Sequence, residues 1–158
     1  MKARDTTGRL VQVMPLLNHV IDVPVAGRLP SAHFEAICEA VTNAAGIAIK
    51  ANAPWLNQYF LPNGLQPPRY EWMLSDKDKE KFCFAWGVTR MTARDAIIDL
   101  IEPSATTLHW GLLCNPEPWD RYCRLNLVPV QVVVGGSEDN PARKAIIYDR
   151  CKKCPPQE

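Results

Sequence analysis

The sequence has no apolar run of about 18 residues, which excludes a membrane-spanning helix of ordinary length. No apolar stretch follows the first basic residues, so we expect no secretory signal and a cytoplasmic protein. Charge of one sign is also lacking, because 18 Lys and Arg face 17 Asp and Glu and leave a formal net charge of +1. Binding to nucleic acid by bulk charge alone is therefore excluded.

Several motifs that carry enzyme chemistry are absent as well. There is no phosphate-binding Walker loop, no dinucleotide-binding glycine pattern, no zinc-protease HExxH and no calcium-binding EF-hand loop. With only 3 His, a histidine-rich metal site is excluded too. These absences favour a protein without catalysis and without a cofactor.

What the sequence does have is the composition of a folded protein. Its 158 residues, 47% of them hydrophobic, suffice for one domain with a real core. We expect a single domain over residues 1–158, with flexible tails at residues 1–9 and 151–158. Pro (14) and Trp (5) are unusually frequent, and Trp is enriched at protein–protein contacts.

Hydrophobic periodicity predicts an α+β fold with an antiparallel sheet of roughly four to six strands. Period-two patterns predict strands in residues 10–26, 108–113, 122–134 and 145–148. A helix is predicted from a Ser31 cap to Gly46, and a central helical hairpin over residues 76–101. The predicted core residues are Phe34, Ile37, Val41, Phe82, Trp86, Ile97, Leu100, Leu108, Trp110, Leu112 and Val132.

Residues 82–101, FCFAWGVTRMTARDAIIDLI, have the pattern of a helix-turn-helix. Such a motif needs a first helix, a tight turn with Gly, and a second helix that begins with short polar or basic residues. In this interpretation Gly87 forms the turn and Thr89 caps the second helix. The side chains of Arg90, Thr92 and Arg94 then project from its first turns.

The run from Gly87 to Ala96 resembles the turn and recognition helix of the GntR-type winged helix-turn-helix regulators, whose pattern is Gly-Val-Ser-Arg-x-Thr-Val-Arg-x-Ala. The resemblance covers residues 78–101. It implies a small DNA-binding or regulatory protein whose DNA-facing residues are Thr89, Arg90, Thr92 and Arg94.

A first alternative is that residues 76–101 form an ordinary helical hairpin with Arg90 and Arg94 as solvated charges. The chain is then a non-catalytic partner-binding protein of the inhibitor, immunity or adaptor type. The predicted partner is therefore DNA in the helix-turn-helix interpretation and another protein in this one.

A second alternative is a cysteine hydrolase. The order of Cys38 on a helix, His109 on a strand and Asn126 on the next strand is similar to that of the NlpC/P60 cysteine peptidases. This similarity implies Cys38 as nucleophile, His109 as base and Asn126 as the residue that orients the imidazole.

The six cysteines are expected to be reduced, in keeping with a cytoplasmic location. A structural zinc ion is an alternative fate for four of them. Cys114 and Cys123, together with the Cys151-x2-Cys154 knuckle, would supply four thiolates in the tetrahedral geometry that zinc prefers.

Overall fold

A computed structural model of the chain describes residues 2–4, 10–12, 14–53, 56–60, 83–104, 106–115, 122–136 and 141–145. The strands are β1 (Lys2–Arg4), β2 (Leu10–Gln12), β3 (Val20–Arg28), β4 (Ala48–Asn52), β5 (Phe84–Thr92), β6 (Leu108–Cys114), β7 (Tyr122–Pro129), β8 (Gln131–Gly136) and β9 (Pro141–Ala145). The helices are α1 (Pro30–Ala45) and α2 (Ala93–Ile101), with 3₁₀ turns at Leu16–Asn18 and Leu56–Phe60. Among these residues, no helix is both long and apolar enough to cross a membrane.

The α+β class is confirmed, with the strands distributed among several small sheets. Antiparallel pairs form between β1 and β2, β3 and β5, and β8 and β9. A three-stranded sheet has the order β4-β7-β6, in which β7 pairs antiparallel with β6 and parallel with β4. This sheet is therefore mixed, where the periodicity predicts antiparallel pairing throughout.

Helix α1 begins at a proline and ends before a glycine. Pro30 occupies the first turn, where its missing N–H costs nothing, and Leu29 is the extended residue before it. Gly46 ends the helix at φ 68°, a left-handed conformation that favours Gly. The predicted Ser31 cap is wrong by two positions, and the Ser31 backbone N–H instead donates to Asn57 Oδ1 at 2.8 Å.

The core lies between the two helices and the inner faces of the sheets. Helix α1 packs against β3, β4 and α2, and α2 packs against β5. Five predicted core residues are fully buried, namely Phe34, Ile37, Val41, Ile97 and Leu100. Four more, Trp86, Leu108, Trp110 and Leu112, are partly buried against this core. The side chains of Phe82 and Val132 lie outside the described residues.

The prediction of a helical hairpin over residues 76–101 is wrong where strand β5 lies. The start of the predicted first helix lies outside the described residues, but Phe84–Thr92 is extended and pairs with β3. The second helix therefore begins at Ala93, with Thr92 rather than Thr89 as its cap. As a strand, this segment forms its backbone hydrogen bonds with β3. Tertiary pairing therefore overrides the local preference for a helix.

Gly87 is required for a reason other than a turn. A Cβ at this position would lie 2.6 Å from the Val23 carbonyl oxygen and 2.6 Å from the Val25 nitrogen. The β3–β5 register shifts on both sides of Val23, so the two backbones approach closely at this irregular point. Only a residue without a side chain fits this crossing.

The expectation of reduced cysteines is wrong at one pair, because Cys114 and Cys123 form a disulfide. They lie directly opposite each other on β6 and β7, which brings their Cα atoms to 4.0 Å. The antiparallel register therefore places the two thiols in bonding range, a relation that their sequence spacing does not reveal. Cys38 is a buried free thiol.

Candidate functional site

The three-stranded sheet has one face in the core and one in solvent. Burial alternates along β7, where Cys123, Leu125 and Leu127 are buried and the residues between them are more accessible. The cross-strand register extends this alternation to both neighbouring strands. We call the solvent side the outer face; it comprises Ala48, Lys50, Asn52, His109, Gly111, Leu113, Tyr122, Arg124, Asn126 and Val128.

Two cations lie close to one aromatic ring on the outer face. The Lys50 Nζ atom lies 4.8 Å from the centroid of the Tyr122 ring. The Arg124 guanidinium carbon lies 5.9 Å from the same centroid. Lys50 and Arg124 are neighbours because β4 and β7 pair in parallel at this register. Both side chains are exposed, so their charge is available to a ligand.

No outer-face residue of these three described strands is acidic. The positive charge of Lys50 and Arg124 is therefore not cancelled by a carboxylate on the same face. Sequence-wide neutrality thus conceals a local excess of positive charge. A surface of this kind attracts anionic groups.

Polar amides occupy the centre of the same face. The Asn52 side-chain amide donates to Asn126 Oδ1 across the β4–β7 pair. Asn126 Nδ2 in turn donates to the Gly111 carbonyl at 3.3 Å. This chain of hydrogen bonds crosses all three strands and fixes the orientation of both amides.

The rim of the outer face is apolar. Leu113 is 70% exposed and Val128 is 38% exposed. Val128 lies directly across the strands from His109, and Leu113 lies across from Arg124. Positive, aromatic, amide and apolar groups are therefore within one surface.

The residues that the GntR resemblance assigns to DNA do not form a recognition helix. Thr89 and Arg90 are exposed on β5, Thr92 caps α2, and Arg94 is exposed in its first turn. Arg90 has a left-handed φ of 49°, and its backbone N–H donates to Asp22 Oδ1 at 2.8 Å. The structure thus divides the four residues between a strand and a helix start.

Carboxylates lie near Arg90 and Arg94, which we call the second basic segment. The Thr92 hydroxyl donates to Asp95 Oδ2 at 2.6 Å, and it accepts from the Asp95 backbone N–H at 3.2 Å. One turn further along, Asp99 accepts from Trp86 Nε1 at 2.9 Å. Unlike the outer face, the surroundings of Arg90 and Arg94 therefore contain acidic side chains.

The cysteine-hydrolase triad is not assembled. Cys38 is 2% exposed in the core cluster, and burial, followed by the nearby Glu35, raises the pKa of its thiol to about 12. His109 lies on the outer face, on the other side of the sheet. Asn126 shares that face but is bonded to Asn52 and Gly111. The thiol is protonated at neutral pH and does not share a surface with the imidazole.

The zinc site is also corrected. Cys114 and Cys123 are joined to each other, so neither sulfur is a thiolate ligand. Cys151 and Cys154 lie outside the described residues. Within the described part of the chain, no group of three or more His, Cys, Asp or Glu side chains could hold a metal ion.

Sequence reasoning missed Lys50, Tyr122 and Arg124. It singled out His109 and Asn126, which do lie on the outer face, but for a different chemistry. The period-two alternation of Tyr122, Arg124 and Asn126 was the available signal, since it places an aromatic, a cation and an amide on one side of a strand. Comparison with known proteins adds nothing to this signal: no protein-family model, curated protein or solved structure matches the chain.

Proposed function

We propose that this protein is a non-catalytic nucleic-acid-binding protein that holds single strands on the outer face of its three-stranded sheet. The observation that supports this proposal is the contact of Lys50 and Arg124 with the Tyr122 ring, on a face whose residues in the three described strands include no carboxylate. Regulation of a nucleic-acid process, as the GntR resemblance implies, is compatible with this role.

The chemistry of the face suits a single strand better than a duplex. Sheets bind single strands by stacking bases on exposed aromatic rings, with about 1–3 kcal/mol per stacked base. In this proposal the exposed side chains of Lys50 and Arg124, which lie over the Tyr122 ring, move off it and contact phosphates when a base stacks there. Asn52, Asn126 and His109 supply donors and acceptors for base edges.

DNA recognition through Thr89, Arg90, Thr92 and Arg94 is the less favoured mode. A duplex reader inserts the start of a helix into the major groove. Here Thr89 and Arg90 belong to a strand, and Asp95 stands beside the helix start. Phosphates would meet carboxylates as well as arginines at this surface.

The test is a titration of labelled single-stranded DNA and RNA oligomers, followed by fluorescence anisotropy at several salt concentrations. Lys50→Gln with Arg124→Gln should weaken binding and reduce the salt slope by about 0.7 per lost phosphate contact. Arg90→Gln with Arg94→Gln is the matched control, because it removes the same charge from the other basic segment. We expect the control to bind almost as the unmodified protein does.

Two results would contradict the proposal. If the control pair weakens binding as much as the outer-face pair does, either the outer face is not the binding surface or binding depends only on net charge. If the unmodified protein binds no oligomer even at about 50 mM salt, nucleic-acid binding itself is excluded, given non-specific dissociation constants of about 10⁻⁴ to 10⁻⁶ M for such proteins.

The exposed Leu113 and Val128 favour a second candidate, a protein partner of the inhibitor, immunity or adaptor type. A partner that covers the apolar rim would lose affinity on Leu113→Ser, which removes no charge. Single-strand binding, by contrast, should respond to Arg124→Gln far more than to Leu113→Ser. Isothermal titration with any partner recovered from cells separates the two candidates.

The cytoplasmic location stays a prediction. Disulfides persist mainly in oxidising compartments. A closed Cys114–Cys123 bond, in protein isolated from cells with its thiols blocked at lysis, would therefore contradict it.

A further inference from the structure

The free edge of β6 is a second surface with no partner among the described residues. In the order β4-β7-β6, β6 pairs only with β7. Hydrogen bonds from Asn115 N to the Tyr122 carbonyl and from Val130 N to the Thr107 carbonyl, both 2.9 Å, extend this ladder at its two ends. They show which residues of β6 turn their backbone groups toward β7.

Backbone direction alternates along an antiparallel strand. Thr107 and Asn115 form backbone hydrogen bonds with β7. The backbone N–H and C=O groups of the odd-numbered residues between them therefore also point toward β7. The N–H and C=O groups of Leu108, Trp110, Leu112 and Cys114 therefore point away from the sheet. This edge is a ready template for another strand.

Natural proteins protect such edges with charge, proline or bulges. Strand β6 reads LHWGLLC and contains no Lys, Arg, Asp, Glu or Pro. Its register with β7 runs from Leu108 to Cys114 without a shift. The edge is thus straight, uncharged and seven residues long, which allows pairing rather than prevents it.

We propose that β6 pairs antiparallel with β6 of a second copy of this chain, with a two-fold axis at Gly111. This inference does not depend on the proposed nucleic-acid function. The result is a six-stranded sheet of order β4-β7-β6-β6-β7-β4. Because opposed residues point to the same side of a sheet, the two outer faces lie side by side.

The strand is self-complementary in this register. The outward backbone groups of Leu108 meet those of Cys114 in the second copy, and those of Trp110 meet those of Leu112. On the outer side, His109 lies opposite the exposed Leu113 of the second copy. No charged side chain opposes its own copy, so the pairing brings no like charges together.

Gly111 lies on the proposed two-fold axis. It faces its own copy as a non-hydrogen-bonded pair, the closer of the two antiparallel pairings at about 4.5 Å between Cα atoms. Within one chain, a Cβ at Gly111 would have nothing within 4 Å. A side chain added there fits the monomer, and it meets its own copy only in the proposed dimer.

The decisive experiment is cysteine crosslinking at this position, with Cys83→Ser, Cys151→Ser and Cys154→Ser as the background. Gly111→Cys should give a covalent dimer on mild oxidation, because two directly opposed positions lie within disulfide range. Leu113→Cys is the matched control on the same face. In the proposed register the two copies of residue 113 stand roughly 13 Å apart along the strands, so this variant should stay monomeric.

Sedimentation velocity provides the second measurement. The unmodified protein and Gly111→Ala should both show a concentration-dependent dimer. Gly111→Glu, which brings two carboxylates together at the axis, should weaken the dimer by at least about tenfold. A monomer at all concentrations, or equal crosslinking by Gly111→Cys and Leu113→Cys, would overturn the proposal. If the protein forms the dimer but binds no single-stranded DNA or RNA, only the proposed function is overturned.

Discussion

The β3–β5 ribbon and the β6–β7 pair are both antiparallel, yet they differ in regularity. The ribbon shifts register twice, crosses closely at Gly87 and holds Arg90 in a left-handed conformation. The β6–β7 pair runs without a shift, and burial alternates along β7 between core and solvent. In the irregular ribbon the backbones cross closely at one point, whereas the regular pairing puts alternate residues of every strand on one common face.

The largest expected difference between the regions is their tolerance of a methyl group on Gly. Gly87→Ala places a Cβ against the backbone of β3, so we expect a loss of about 3 kcal/mol or more in the free energy of unfolding. Gly111→Ala meets nothing within 4 Å and should be neutral or slightly stabilising. Urea denaturation measures both. Equal effects would mean that the close crossing at Gly87 does not govern stability.

The disulfide gives the regular pair a covalent link that the ribbon lacks. Closing a loop with a sequence separation of 9 should contribute about 2–3 kcal/mol, chiefly by restricting the unfolded chain. Denaturation with and without reductant measures this contribution, and Cys83→Ser is the control whose response to reductant should be unchanged. Stability that is independent of reductant would argue against the Cys114–Cys123 bond.

A pH effect should arise under the ribbon. His33 is 0% exposed, its Nε2 donates to the Phe84 carbonyl at 2.8 Å, and burial lowers its pKa below the ordinary value. Protonation then favours the unfolded chain, whose His pKa is about 6.5. Stability should be level above that pH and fall as the pH drops through it, by at most about 1.4 kcal/mol per unit.

Denaturation between pH 8 and pH 5 checks this effect with two variants. His33→Gln should flatten the pH dependence, whereas His109→Gln, on the exposed outer face, should preserve it. An unchanged slope in His33→Gln would assign the dependence to other groups.

The smallest predicted effect concerns the end of the ribbon. Thr92→Ala removes the cap of α2 and should cost about 1 kcal/mol. Thr89→Ala, at the cap position that the helix-turn-helix pattern predicts, should change stability by less than about 0.5 kcal/mol. The reverse order, measured by thermal or urea unfolding, would favour the helical interpretation of residues 84–92.

The two regions also differ in how far the sequence predicts them. Helix α1 and the strand character of residues 108–113 and 122–129 follow from local periodicity, and the structure confirms them. Strand β5 does not, because its need for Gly87 originates in the backbone of Val23 and Val25, far away in sequence. The sequence of residues 84–92 alone therefore does not predict this contact.

The candidate site divides in the same way. Alternation along β7 places Tyr122 and Arg124 on one side of a strand, which a local pattern can predict. Lys50 reaches Tyr122 only because β4 pairs in parallel with β7. That pairing is non-local, so the cluster of cation and ring cannot be derived from residues near either one.

The parallel β4–β7 pair also determines when the protein can finish folding during synthesis. Asn52 and its partner Asn126 are 74 residues apart, so the backbone edge of β4 that pairs with β7 stays unpaired until β7 has left the ribosome. Contacts of such long range slow folding, since loop closure precedes any gain from pairing. A chain stalled before Tyr122 should therefore depend on chaperones, and one released after Pro129 should complete the sheet.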